Sequence, residues 1–255
     1  MFDFGENWEI FSRKLNESRI HQATENLEEL LVPLSLKDKS FLDIGCGSGL
    51  ASLAALRLGA SPVVGIDLNP KCVFVSQANI KAYNRESSAV SFQLTSALDK
   101  AELDKLGVFD VVYSWGVLHH TGDMYRAIEL ACRRVRVGGY LALAIYNRHV
   151  TSRAWWHIKR TYNRLPAKLK SPVIYLMSGV IAMAKLVVTR KNPFVKDRGM
   201  EFMVDVVDWV GGFPYEYATV GEIEFFLEKH GFNLIKTTPS ETPTGCNQMV
   251  FVRED

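Results

Sequence analysis

Apolar positions along the chain change their spacing near residue 41. Before that point they recur at near-helical intervals, which predicts helices up to Pro33, built on Trp8, Phe11, Leu15, Leu27, Leu30 and Leu31. After it, apolar runs alternate with amphipathic stretches such as Leu50 to Leu58 and Pro70 to Tyr83. The runs predict strands at Phe41 to Ile44, Val63 to Ile66, Val90 to Leu94, Val108 to Tyr113 and Tyr140 to Ile145. This alternation predicts right-handed βαβ units and a parallel sheet covered on both faces.

The alternation stops after Asn147 and resumes with a predicted helix near Thr219 to His230. Thr219 and Glu222 form a capping-box pattern there, and two more strands are predicted near Phe232 to Thr238 and Cys246 to Val252. We therefore predict an N-terminal helical cap over residues 1–36 and a sheet domain over 37–147 and 219–255. Residues 148–218 are predicted to form a helical insert, or lid, that binds substrate.

Composition narrows the class of protein. The chain has 255 residues, 47% of them apolar and 23% charged, which is typical of a globular domain. The first residues contain no basic region followed by an apolar run, so we expect a cytoplasmic protein. The cysteines lack C-x-x-C spacing, which argues against a zinc site or disulfide framework and fits a reducing cytosol: Cys46, Cys72, Cys132 and Cys246.

Charge is distributed unevenly along the chain. The formal net charge is +2, but residues Arg148 to Arg198 include twelve Lys or Arg and one acid, Asp197, a net +11. The same segment holds an apolar run from Pro172 to Val188 with basic residues on both sides. From this combination we hypothesise a peripheral contact of residues 148–198 with an anionic membrane. A helical subdomain packed on the sheet, or a dimer contact, is the alternative, and nothing in the sequence indicates the oligomeric state.

A glycine-rich turn follows the first predicted strand, in Leu42-Asp43-Ile44-Gly45-Cys46-Gly47-Ser48-Gly49-Leu50. Ligands of open α/β sheets bind at the carboxyl ends of strands, and glycines allow the backbone to approach them closely. The spacing is G-x-G-x-G rather than the dinucleotide pattern G-x-G-x-x-G. The preceding carboxylate, Asp43, disfavours a pyrophosphate and favours the cationic sulfonium and amino groups of S-adenosylmethionine.

An acid also ends the second predicted strand, in Gly65-Ile66-Asp67-Leu68-Asn69-Pro70. Acids at this position commonly hold the ribose diol of a nucleotide, so Asp67 is predicted to accept hydrogen bonds from both hydroxyls. A mere capping role for Asp67 is the alternative. Asn69 and Pro70 form a favourable N-cap and N1 pair for the next helix.

Taken together, these motifs resemble class I S-adenosylmethionine-dependent methyltransferases. The resemblance is carried by LDIGCGSG, VVGIDLNP, FDVVYSWGVLHH and RRVRVGGYLALAI, in the family's order. It implies a Rossmann-like α/β fold with seven strands, the last antiparallel, S-adenosylmethionine as cofactor and S-adenosylhomocysteine as product. The acid that family members often carry after strand three is absent, so the backbone of Ser96 and Ala97 is expected to contact adenine. The expected cofactor-binding residues are Asp43, Gly45, Cys46, Gly47, Gly49, Asp67, Leu68, Ser96, Ala97, Ser114 and Trp115.

The loop after the fourth predicted strand, Ser114-Trp115-Gly116-Val117-Leu118-His119-His120, is expected to face the transferred methyl group. Methyl transfer is an in-line displacement that depends on alignment, and a base helps where the acceptor must lose a proton. His119 and His120 are the candidate bases. We expect only one of them to reach the substrate and favour His120, the position that small-molecule members of the family most often fill with His. A structural role for both is the alternative.

Motifs that the chain lacks narrow the acceptor. There is no [DNS]-P-P-[YF] motif for methylation of nucleic-acid amino groups, no Pro-Cys nucleophile, and no acid cluster at Ser114 for a catechol-binding metal. Metal-free O- or N-methylation of a small acceptor remains, and the apolar insert suggests a lipophilic one. One alternative is an RNA-modifying enzyme with the basic insert against the backbone, although nucleic acid is disfavoured by the accompanying apolar run. Another is a cofactor-binding protein with different chemistry.

The stretch Asp208 to Glu216 resembles a motif of a group of bacterial small-molecule methyltransferases. Its glycines, proline and aromatic residues predict a tight loop rather than a helix. Loops on the substrate side of a rigid sheet commonly carry function. The predicted substrate-binding residues are Tyr146, Asn147, Arg198, Trp209, Tyr215 and Glu216.

Overall fold

The computed structural model describes residues 2–84, 87–190, 192, 202–240, 242 and 245–254. Helices α1 (Phe4–Ser12) and α2 (Glu17–Leu31) precede the sheet. The strands are β1 (Phe41–Ile44), β2 (Val63–Asp67), β3 (Val90–Leu94), β4 (Phe109–Trp115), β5 (Val135–Tyr146), β6 (Phe232–Thr238) and β7 (Cys246–Arg253). The remaining α-helices of this part of the chain are α3 (Leu50–Arg57), α4 (Pro70–Tyr83), α5 (Lys100–Lys105), α6 (Met124–Cys132), α7 (Ser152–Arg164), α8 (Ala167–Thr189), α9 (Phe202–Gly211) and α10 (Val220–Glu228).

The seven strands form one sheet in the order β3-β2-β1-β4-β5-β7-β6. β7 is antiparallel to β5 and β6, whereas the pairs among β1 to β5 are parallel. The predicted Rossmann-like sheet with an antiparallel last strand is therefore confirmed. The strand order reverses between β1 and β4, and open α/β sheets bind their ligands at the carboxyl side of this switch point.

Most element boundaries follow the predicted pattern. β1, β3, β6 and α4 have the predicted limits, and the capping box of α10 forms between Thr219 and Glu222. β5 differs, because it begins at Val135 rather than Tyr140. The β4–β5 register shifts between Phe109 and Val111, and Gly138 at φ 71° lies in the corresponding part of β5. The bulge interrupts the apolar alternation, so the pattern alone hid the first half of the strand.

Successive residues of the central strands enter two different cores. Leu42 and Ile44 of β1 pack on one face of the sheet, with side chains of α5, α6 and α10. Phe41 of β1 and Val111 of β4 pack on the other face, with side chains of α2 and α3. The alternation follows from the two-residue period of a strand and gives the predicted three-layer arrangement.

The insert has its own apolar cluster, in which α7, α8 and α9 meet through Tyr162, Ile174, Phe202, Val206 and Val210. α9 is also bound to the N-terminal helix. The Asn7 side-chain amide donates to the carbonyl of Val204 and to the carboxyl of Asp208, both at 2.8 Å. This joins the insert to α1 over the carboxyl edge of the sheet. None of the described helices is both long enough and apolar enough to span a membrane.

The predicted tight loop over Asp208 to Glu216 is wrong for its first half. α9 continues through Asp208 to Gly211, because Phe202, Val206 and Val210 recur at helical spacing and bury one face. The irregular segment begins only at Gly212 and ends where Asn147 and Ala218 form an isolated parallel bridge.

Candidate active site

The glycine turn connects β1 to α3 at the carboxyl edge of the sheet. Gly45, Gly47 and Gly49 have φ of 78°, 56° and 74°, which residues with a Cβ rarely adopt. The backbone N–H groups of the turn are used internally: Gly45 and Cys46 donate to Ile66 at 2.8 and 3.0 Å, and Gly47 donates to the Asp67 carboxylate at 3.0 Å. The turn therefore differs from a phosphate cradle, in which such N–H groups point at the ligand.

Two carboxyl groups lie beside this turn, the buried Asp43 and the partly buried Asp67. Asp43 accepts a hydrogen bond from the Ser52 hydroxyl at 2.6 Å, and burial raises the pKa of Asp43 to about 7. Asp67 also accepts from Asn69 N–H at 2.8 Å, and burial raises its pKa as well. The negative charge of Asp67 adds to the rise at Asp43. Because neither forms an ion pair with a described residue, the site suits a cationic ligand.

Side chains from two other elements close over the turn. A Cβ built on Gly47 would lie 2.8 Å from Cε2 of Trp8, and one on Gly45 would lie 2.4 Å from Cγ2 of Val117. The Ser48 hydroxyl is buried and has no hydrogen-bond partner among the described residues. The close covering, the two carboxyl groups and the orphaned hydroxyl fit a nucleoside with a cationic tail.

The other expected cofactor residues have varied surroundings. Ser96 and Ala97 follow β3, whose end is joined to Asp67 by a 2.9 Å bond from Thr95 N–H to the Asp67 carbonyl. Asp99, the nearest acid after β3, caps α5 by accepting from Glu102 N–H, so its carboxylate is already engaged.

Ser114 and Cys46 make hydrogen-bonding contacts through their side chains. Ser114 Oγ donates to Ile44 O at 3.1 Å, and the Cys46 thiol lies 3.5 Å from Ser76 Oγ. The Leu68 side chain is exposed, and Trp115 stacks on Tyr113 at 5.3 Å between ring centroids. The Ser114 side chain thus joins β4 to β1, and the Cys46 side chain joins the glycine turn to α4, at the carboxyl edge of the sheet.

The two histidines lie side by side after β4, with ring centroids 4.5 Å apart. His120 Nδ1 is 2.6 Å from the carbonyl of Pro214, so Nδ1 carries the proton and Nε2 keeps a lone pair. His119 is fully buried, and its Nδ1 accepts from Tyr146 N–H at 3.3 Å. Its Nε2 therefore carries the proton and has no partner among the described residues. Burial lowers the pKa of His120 to about 3 and that of His119 well below its usual value, so both rings stay neutral.

Lys159 of α7 was not predicted as a site residue, yet it is 0% exposed and lies above the histidines. Its ammonium donates to the carbonyl of Trp209. The nitrogen lies 5.2, 5.6 and 4.8 Å from the ring centroids of Tyr146, Trp209 and Tyr215. Burial lowers its pKa to about 7. The sequence gives a weak indication that Lys159 faces inward, because it falls between Trp155 and Tyr162 on one side of α7.

The structure brings together three of the six predicted substrate residues. Tyr146 lies 4.1 Å from the His119 ring and 5.1 Å from Tyr215, with Trp209 joined to them through Lys159. The Asn147 side chain accepts from Asn247 at 3.0 Å. The Glu216 carboxylate accepts from Gly122 N–H at 2.9 Å and Met124 N–H at 3.2 Å, at the start of α6. Arg198 lies outside the described residues.

Comparison with known proteins identifies the family. A family model described as a methyltransferase domain matches residues 15–172, and the chain belongs to this family. The ribosomal protein L11 methyltransferase of Shewanella denitrificans is 36% identical over 124 residues, which are 49% of this chain and 39% of that protein. The chain thus spans well under half the length of this curated relative.

Solved structures support the same fold. Magnesium protoporphyrin IX methyltransferase from Synechocystis PCC 6803 with bound S-adenosylhomocysteine has a TM-score of 0.57 at 17% identity, over 92% of this chain and 83% of that one. An O-methyltransferase family protein from Burkholderia thailandensis has a TM-score of 0.58 at 14% identity, over 96% of this chain and 59% of that one. The expected class, the S-adenosylmethionine-dependent methyltransferases, and its cofactor are confirmed.

Proposed function

We propose that the protein transfers the methyl group of S-adenosylmethionine to an oxygen or nitrogen of a small, lipophilic acceptor. The observation that carries the proposal is the group of aromatic side chains around His120 and Lys159, called the aromatic chamber below: Phe4, Tyr146, Trp209 and Tyr215. The His120 ring lies 5.2 Å from the Phe4 ring and 5.5 Å from the Tyr146 ring, and Lys159 of the insert is close enough to act on the charge of His120. Walls contributed by α1, β5 and the insert suit a small molecule that is enclosed on several sides.

The cofactor residues act through charge and shape. S-adenosylmethionine supplies an electrophilic methyl group on a sulfonium. Asp67 accepts hydrogen bonds from the ribose, and the negative potential of Asp43 and Asp67 stabilises the cationic tail. Ser96 and Ala97 line the adenine through their backbone, while Gly45, Gly47 and Gly49 allow close approach.

The acceptor is aligned by the insert and activated at His120. The lone pair on Nε2 can take a proton from the accepting group, because Nδ1 is held by Pro214. A neutral ring is the form that a general base requires. His119 serves mainly to support the site, since its Nδ1 is engaged by Tyr146 N–H.

Protein methylation is the second candidate, because the matched relative is a ribosomal protein methyltransferase. The match covers only 39% of that relative, so most of the relative's length has no counterpart in the match. The aromatic chamber favours the small acceptor over an extended polypeptide.

The test is incubation with methyl-labelled S-adenosylmethionine and a cell extract, followed by separation of lipids, small polar molecules, protein and RNA. We expect label in the organic phase. Label in the polar fraction would keep a small acceptor and remove its lipophilic character, whereas label in protein or RNA would support the corresponding alternative. Asp67→Ala should abolish labelling, and Asp99→Asn, a matched acid at the N-terminus of α5, should not.

Peripheral membrane contact is a further part of the proposal. One side of α8 packs on α7 and α9, while apolar residues on its other side are exposed by half or more: Tyr175, Leu176, Val180, Met183 and Val187. The basic residues Lys168 and Lys170 lie in the first turn of this helix. An exposed apolar face next to basic side chains supports binding to an anionic interface.

A further inference from the structure

Lys159 occupies an unusual environment for a lysine. Its ammonium is fully buried against three aromatic rings that come from β5, α9 and the segment after α9. An ammonium has three N–H donors, and the carbonyl of Trp209 is the acceptor that the described residues provide. Donor capacity is therefore left over inside the chamber.

The described residues offer Lys159 no ion pair. Asp208 of α9 acts on it only through space, and the Asp208 carboxyl is bound to Asn7. Burial raises the pKa of Asp208 to about 8, so this carboxyl is largely neutral near pH 7. Cys246 also faces Lys159, and the two nearby histidines are neutral, so neither offers it a counter-charge. A buried cation without a counter-charge is costly, which suggests that a ligand supplies the charge.

A second buried donor lies beside the same tyrosine ring. His119 Nε2–H has no partner among the described residues, and its ring is 4.1 Å from that of Tyr146. Buried polar groups are normally hydrogen-bonded, so an unpaired buried donor points to an absent acceptor. Lys159 lacks a counter-charge and His119 Nε2–H lacks an acceptor, and an oxygen with negative charge would satisfy both.

We propose that Lys159 and His119 form a subsite for a negatively charged oxygen on a flat aromatic acceptor, a phenolate or an aromatic carboxylate. The rings of Tyr146, Trp209 and Tyr215, which surround the ammonium, offer an aromatic surface to the planar body, and the two donors hold the oxygen. The inference rests on the proposed function and adds the substrate class to it. An anion held there also favours protonation of His120, which assists its action as a base.

The test uses 4-nitrophenol as the probe, with S-adenosylhomocysteine present to occupy the cofactor site. The absorption of the probe distinguishes phenolate from phenol. We expect saturable binding as the phenolate below the probe's own pKa, with 4-nitroanisole, its neutral methyl ether, bound about 10-fold more weakly or worse. Lys159→Met should lose this preference, whereas Lys168→Met, an exposed lysine of the same insert, should keep it.

Thermal unfolding separates a binding role from a structural one. Burial lowers the pKa of Lys159 from 10.5 to about 7, so the folded protein disfavours its charge. Lys159→Met should therefore raise the unfolding midpoint below pH 7, and the gain should vanish as the pH approaches 10.5. A lysine that merely holds the fold together would give a lower midpoint on replacement.

The outcomes are distinguishable. No preference of the wild-type protein for nitrophenolate over the ether overturns the subsite, even if Lys159→Met does not fold. Retention of the preference by a folded Lys159→Met protein overturns it too. If S-adenosylhomocysteine does not bind to the wild-type protein, the proposed function itself fails; normal binding limits the failure to the subsite.

Discussion

The indole of Trp8 lies directly over Gly47, so closely that a Cβ on Gly47 would be 2.8 Å from Trp8 Cε2. This contact connects α1 with the turn proposed to receive the cofactor. The same helix is held at its N-terminus, where the Asp3 carboxylate accepts from the Asn69 amide at 2.7 Å. The N-terminal helix thereby covers the turn that we propose as the cofactor site.

Trp8 should therefore report cofactor binding. We expect S-adenosylhomocysteine to change the intrinsic fluorescence of the wild-type protein, because a ligand at the turn alters the surroundings of the indole. The change should largely disappear in Trp8→Phe and persist in Trp155→Phe, whose indole packs on Trp209 in the insert. An unchanged signal in Trp8→Phe would show that α1 does not contact the bound cofactor.

Cofactor affinity should depend on pH through Asp43. Burial raises the pKa of Asp43 from 3.8 to about 7, and a cationic ligand favours the ionised form. Binding thus releases a proton below pH 7, so affinity for S-adenosylmethionine should fall as the pH drops, by up to about tenfold per unit. Titration calorimetry at several pH values measures this. Asp43→Asn should bind more weakly with a flatter profile, and Glu129→Gln, a surface acid on α6, should match the wild type. A wild-type slope in Asp43→Asn would assign the proton to another group.

The two histidines should differ when replaced. His120→Ala removes the free Nε2 lone pair, and turnover should fall about 100-fold or more. It also leaves the Pro214 carbonyl without its donor, which should cost about 1–3 kcal/mol of unfolding free energy. His119→Ala leaves the Tyr146 N–H without its buried acceptor and should cost about 1–3 kcal/mol of unfolding free energy. Labelled methyl transfer and thermal unfolding of both variants provide the measurements. Equal turnover of His120→Ala and wild type would remove the base from the mechanism.

The outer side of α8 should bind anionic vesicles. We expect co-flotation at low salt and release at high salt, since basic residues contribute electrostatic attraction. Leu176→Asp should weaken flotation because Leu176 is 69% exposed on α8, whereas Val150→Asp, at a residue 89% exposed before α7, should not. No flotation, together with a dimer in solution that Leu176→Asp dissociates, would make this side a dimer contact instead.

Local sequence patterns predicted most of the fold for physical reasons. β1 is a short, mostly apolar run and β3 alternates apolar with polar residues, so both strands are recognisable from their own residues. Asn69 with Pro70 likewise starts α4 through local contacts. Where tertiary contacts intervene, the prediction was incomplete. The bulge opposite Phe109 hid the start of β5, and the glycines of Asp208 to Glu216 suggested a loop although α9 continues to Gly211.

The proposed active site also has features that local sequence predicts and features that depend on tertiary contacts. The sequence by itself determined the candidate cofactor residues, because Asp43, the glycine turn and Asp67 lie at strand ends whose position in an α/β sheet follows from chain order. Only the tertiary structure decided which polar groups meet in the chamber. A lysine in a basic segment gives no local sign of burial, and Lys159 acquires its role because α7 and α9 pack over β5 and enclose it. Glu216 is the opposite case, a residue predicted to bind substrate whose carboxylate instead accepts hydrogen bonds from two N–H groups at the start of α6. Strand-end motifs encode chemistry locally, whereas burial and pairing depend on contacts between residues far apart in the chain.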